Sequence, residues 1–171
     1  MRFALMAVLA LVGLTALPAR AADWTIYRYA ELGFAVSFPT APTRMSKSSE
    51  TSGGAVPTEY VYVIEAGTLY MVSSSDLTAQ PDTWKDPDLS ARGILDGALK
   101  GGTVTSPAAH LAAAAAWEGA RDEGDKRIRV RAYMRGKRGF TVLIISPSDH
   151  PERTTDAAAE RFLGSFAPDG S

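Results

Sequence analysis

Cysteine is absent from this 171-residue chain. Its absence rules out disulfides, thiolate nucleophiles and any zinc site built on cysteine ligands. It equally rules out a lipid carried on an N-terminal cysteine. Histidine is scarce, with two residues, His110 and His150. A surplus of one charge is missing as well. The formal net charge is −1, far from the basic excess of a general nucleic-acid or membrane-surface binder. Neither Gly53-Gly54 nor Gly101-Gly102 continues into Lys-Ser/Thr, so no phosphate-cradling loop is present. The G-x-S-x-G turn of many serine hydrolases is also lacking.

Long hydrophobic runs are lacking too, apart from one. Arg2 precedes an apolar or small stretch from Phe3 to Leu17, and Ala19-Arg20-Ala21 follows it. A positive start, a short apolar run and small residues at the cleavage positions make a secretory signal, expected to be cut before Ala22. The run is shorter than the roughly 20 residues of a membrane span. No Arg-Arg pair precedes it, which argues against a twin-arginine signal. The expected organisation is a signal peptide over 1–21 and a single domain over 22–171, long enough to bury its own core. The expected location is the periplasm, with release outside the cell as the alternative.

The remaining sequence alternates between strand and helix signals. Phe34, Val36 and Phe38 alternate with Ala35 and Ser37, the period of a half-buried strand, and Pro39 and Pro42 close it. Residues 40–57 are polar and aperiodic, and read as a loop or loosely paired hairpin. Tyr60–Ile64 and Leu69–Ser73 flank a glycine-containing turn and predict a hairpin. The 80–88 segment reads as an acidic connector. Asp86 and Pro87 then suit the start of a helix that carries Leu89, Ala91, Ile94, Leu95, Ala98 and Leu99 on one face and ends at Gly101-Gly102. Ala108–Trp117 is open between helix, favoured by its alanines, and a strand pair. Arg127–Met134 alternates cleanly, with Ile128, Val130, Ala132 and Met134 inward and Arg127, Arg129, Arg131 and Tyr133 outward. A turn at 135–139 leads into a strand over 140–146. Ala158, Ala159, Phe162, Leu163 and Phe166 have helical spacing. The fold class expected is α+β, an antiparallel sheet built from hairpins and covered by two amphipathic helices.

Several short stretches resemble exported bacterial domains of the PsbP-like (Mog1/PsbP) superfamily. They are Gly33-Phe34-Ala35-Val36-Ser37-Phe38-Pro39 with Pro42, the Tyr60–Tyr62 and Tyr70–Ser73 pair, the Arg129–Tyr133 and Phe140–Ile144 pair, and Arg161-Phe162-Leu163-Gly164-Ser165-Phe166. The resemblance implies a sandwich of that type and an extended conformation for Ala108–Trp117. It also implies a role in binding rather than chemistry, since the photosystem-associated relatives bind a protein complex.

Two clusters are candidates for function. Residues 121–138 carry a local charge of +5, and Arg127, Arg129, Arg131, Lys137 and Arg138 could form a basic stripe for an acidic partner. The same residues could instead form a solvated or edge-protecting strand face. Asp149, His150 and Glu152 offer metal-ligating atoms on one turn, although their spacing does not aim two ligands from one helix face. A helix-leading loop is the other reading. No catalytic set emerges and no cofactor is implied. The expected function is that of an exported, non-enzymatic interaction or accessory domain contacting another envelope protein, without nucleic acid and without membrane insertion after signal cleavage. A small-ligand or metal-binding module is the alternative, and a hydrolase using His110 or His150 the remote one.

Overall fold

A computed structural model describes residues 24–51, 53–111, 115–148 and 156–168. In chain order these form β1 (Thr25–Tyr29), a 3-10 turn (Ala30–Leu32), β2 (Phe34–Phe38), β3 (Thr43–Thr51), β4 (Gly54–Glu65) and β5 (Thr68–Asp76). Then come α1 (Pro81–Lys85), α2 (Pro87–Ala98), β6 (Thr103–His110), β7 (Ala116–Glu123), β8 (Lys126–Arg135), β9 (Arg138–Pro147), α3 (Asp156–Ser165) and β10 (Ala167–Pro168). The expected signal segment lies outside the described residues. Among the described residues no helix is long and apolar enough to cross a membrane.

Seven strands make one antiparallel sheet in the order β3-β4-β5-β9-β8-β7-β6. Two meanders, β3–β5 and β6–β9, meet at the β5–β9 pair. The expected hairpins are all present, and residues 103–110 and 116–123 are strands, so the alanine-rich segment is flanked by extended chain. The picture of one sheet under two helices needs a correction. A second antiparallel sheet, β1-β2-β10, shares a layer with α3 on one face of the large sheet, while α2, with the short α1 at one end, lies on the other. The second sheet escapes sequence patterning because β10 is two residues long and comes from the far end of the chain.

Between the large sheet and the α3 layer lies an aromatic core. Phe34, Phe38, Phe140, Phe162 and Phe166 pack there with Val61, Val63, Val72, Val142 and Ile144. On the opposite face Leu95 and Leu99 of α2 cover Ile128, Val130 and Ala132 of β8. Trp84 of α1 packs with Val56, Leu77 and Met134 at one end of the same layer. The 80–88 connector is therefore part helix. It is fastened by Gln80, whose side chain meets Thr51 and the Gly54 carbonyl.

The limits of α2 follow its sequence. Asp86 accepts a hydrogen bond from the Leu89 amide at 3.0 Å, and Pro87 occupies the first turn. At the other end Arg121 donates to the Ala98 carbonyl, placing a cation at the negative pole of the helix. Gly93 and Gly97 stand in this helix with open space where a side chain would begin. Among the described residues no close backbone approach requires them. Gly93→Ala and Gly97→Ala are each expected to raise stability by about 0.5–1 kcal/mol, read as a higher urea midpoint at unchanged slope.

Two further differences have plain causes. The polar stretch expected as a loop or loose hairpin is a fully paired one, in register from Thr43↔Tyr62 to Thr51↔Gly54. β3 is an edge strand exposed on both sides, so it carries no apolar alternation to read. Beyond the predicted strand end at Ser73, Ser74-Ser75-Asp76 continues β5, and the Ser74 hydroxyl donates to the Leu32 carbonyl at 3.1 Å.

Candidate interaction surface

β4 reads Tyr60-Val61-Tyr62-Val63-Ile64, apolar without a break. Such a run belongs to a strand covered on both faces. Val61 and Val63 point into the aromatic core with Tyr70 and Val72 of β5. Tyr60, Tyr62 and Ile64 point the other way, toward the side that α2 occupies. But Trp84 of α1 covers the Val56 end of β4, and α2 packs on β6, β7, β8 and β9. On the half it leaves bare, register aligns Met45 with Tyr60, Tyr62 with Met71 and Leu143, and Ile64 with Leu69 and Ile145. Ile64 is 68% exposed and Met45 39%, and the two tyrosines, Leu69 and Met71 are half-buried. The Tyr60 hydroxyl is tied to Ser49 at 2.5 Å, which orients that ring. The result is a rigid apolar and aromatic patch on a sheet face.

The basic residues singled out in the sequence are placed differently. Arg127, Arg129 and Arg131 do share a face of β8, but α3 lies against it at Arg129 and Arg131, and only Arg127 of the three is exposed. Arg129 and Arg131 both pair with Glu160 of α3, and Arg131 also meets Glu118 at 2.9 Å. Their side chains are only 25% and 16% exposed. Arg127 lies 3.2 Å from Asp122. Arg138 donates to Ser74 and to the Glu31 carbonyl, each at 3.2 Å. Lys137 leans over the Trp84 ring. The five cations thus form no continuous free stripe. The long arginine stems are drawn under α3 by its carboxylate, where charged hydrogen bonds are strong. The hydrogen bond from Arg129, reinforced by Arg131, holds the Glu160 carboxyl below the ordinary glutamate range. Burial pushes the Tyr133 phenol up.

His110 lies at the end of β6, with Nε2 2.9 Å from Asp88 at the start of α2. The same carboxylate oxygen accepts from the Trp117 indole at 3.0 Å. Arg92 stacks over that indole, so the cluster ties the edge strand β6 to α2. Asp149, His150 and Glu152 lie outside the described residues. A shallow depression of about 450 Å³ opens between Gly101–Thr103 and Asp122–Gly124. Its two carboxylates are engaged by arginines, Asp122 by Arg127 and Glu123 by Arg121.

No family model and no curated protein matches the sequence. The solution structure of cyanobacterial PsbP (CyanoP) from Synechocystis sp. PCC 6803 matches the fold, with a TM-score of 0.51 at 10% identity, covering 90% of this chain and 97% of that one. The fold is PsbP-like. At that identity the likeness concerns architecture, and no side chain of the patch on this PsbP-like domain is carried over from it. The patch residues, Met45, Tyr60, Tyr62, Ile64, Leu69 and Met71, were not singled out by motif reasoning. The signal that could have found them is the unbroken apolarity of β4.

Proposed function

We propose that the protein is an exported, non-catalytic interaction domain that holds another envelope protein against the bare half of its large sheet. The observation that carries this reading is β4, where Val61 and Val63 are sealed in the chain's own core on one face while Tyr60, Tyr62 and Ile64 on the other lie beyond the cover of α2. The signal-like start of the sequence supports export. The PsbP-like architecture supports a role in binding.

Site-specific photocrosslinking in cells tests the proposal. A photoreactive residue at Ile64 or Met71 is expected to give one adduct of discrete mass. The same residue at Gly93, on the open side of α2, should give none. Absence of an adduct from the sheet positions, or an identical pattern from Gly93, would overturn the reading.

A further inference from the structure

We propose that the partner joins the large sheet at β3, as an eighth strand. The strand would be an extended segment carrying an acidic residue opposite Lys47 and apolar residues two positions to either side of it. The inference rests on the reading above, that this half of the sheet holds a protein, and adds how it is held.

The two edges of the sheet are built differently. β6 contains Pro107, and its ladder shifts register between Val104 and Ser106 and again between Ser106 and Ala109. A proline and two irregularities make a poor template for a new strand. β3 runs for nine residues without proline or glycine, in unbroken register with β4. Its outer backbone groups can be assigned. In an antiparallel ladder, directly opposed residues alternate between exchanging two hydrogen bonds and exchanging none. Ser48 opposes Pro57, which has no N–H, so this pair fits the second kind. By alternation Arg44, Ser46, Ser48 and Glu50 turn their N–H and C=O groups toward the open edge.

Side chains then specify the occupant. On the α3 side Arg44 is engaged by Glu31 at 2.6 Å and Glu59 at 3.0 Å, and Ser46 also bonds Glu59. On the patch side stand Met45 and Lys47, and Lys47 has no ion-pair partner among the described residues. An acidic residue facing it completes a cross-strand pair, and apolar neighbours extend the Met45–Tyr60 row. A second copy fits less well. The antiparallel register that brings Arg44 opposite Glu50 also places Lys47 directly against Lys47 of the second copy, a destabilising like-charge pair.

The test uses the domain from residue 22 onward and two synthetic nine-residue peptides. One has glutamate at its centre, isoleucine two positions to either side and threonine elsewhere. The other has lysine at the centre. The glutamate peptide is expected to slow amide exchange at Arg44, Ser46, Ser48 and Glu50, and to bind roughly fivefold more tightly than the lysine peptide. Lys47→Glu should reverse that order, and Ser48→Pro should abolish binding with the urea midpoint held. No peptide preference, or one unchanged by Lys47→Glu, overturns strand addition. So does a concentration-dependent dimer without peptide that Ser48→Pro removes. If the Ile64 crosslink persists in Ser48→Pro while peptide binding was never seen, strand addition falls and the open-face reading stands. If both fail, both fall.

Discussion

Replacing Phe162 with alanine is expected to lower the stability of the domain by about 3–5 kcal/mol. Phe162 is fully buried. Its ring lies 5.4 Å from both Phe38 and Tyr70 and 6.5 Å from Trp24, centroid to centroid. It is therefore the point where α3, the small sheet, the large sheet and the start of the described chain meet. Truncation removes the buried ring and leaves a void whose walls come from four separate segments, which cannot all collapse into it. Domains of this size are stable by only about 5–15 kcal/mol, so a large share of the total is at stake. Urea unfolding followed by tryptophan fluorescence measures it. A loss under about 1 kcal/mol, well below the usual cost of such a truncation, would mean that α3 is not sealed as described.

The second large effect is expected at Arg131. Arg131→Ala should cost about 1–3 kcal/mol. That lies between the small value of exposed ion pairs and the several kcal/mol of breaking a fully buried one, because Arg131 is mostly buried while Glu160 and Glu118 are half-exposed. The effect has a pH signature. Glu160 is held below its ordinary range in the folded state. Its contribution is therefore fully present above the unfolded glutamate value of about 4.3, and is lost as pH falls through the lower folded value. The gap between wild type and Arg129→Met/Arg131→Met should be widest near neutral pH and narrow by about pH 3. Urea curves at pH 7, 4 and 3 check this. A gap independent of pH would assign the arginines a packing role only.

Arg131 also shows where sequence reading stops. The alternation of Arg127–Met134 identified the strand and the face that α2 covers. It could not reveal that Arg129 and Arg131 on the opposite face are covered as well, since a paired arginine and a solvated one look alike in sequence. Asp86-Pro87 marked the start of α2 correctly, because caps are local chemistry, whereas the helix ends at Ala98 with Leu99 as its cap, ahead of the expected Gly101-Gly102. β3 was hidden for the opposite reason: an edge strand with both sides in water has no apolar period. The interaction patch was half legible. Tyr60–Ile64 predicted a strand, but only the finished stacking of layers shows that one of its apolar faces has no cover.

The small sheet carries a consequence in time. β2 pairs with β1 on one side and with β10 on the other, and the Ser37 amide is bonded to Ser165, 128 residues away. Phe34, Val36 and Phe38 therefore lack their neighbours until Phe162, Phe166 and β10 have been synthesised. Closing so long a loop is entropically costly and slow. A chain arranged this way cannot finish its core from the front, and it stays pliable through most of its own production.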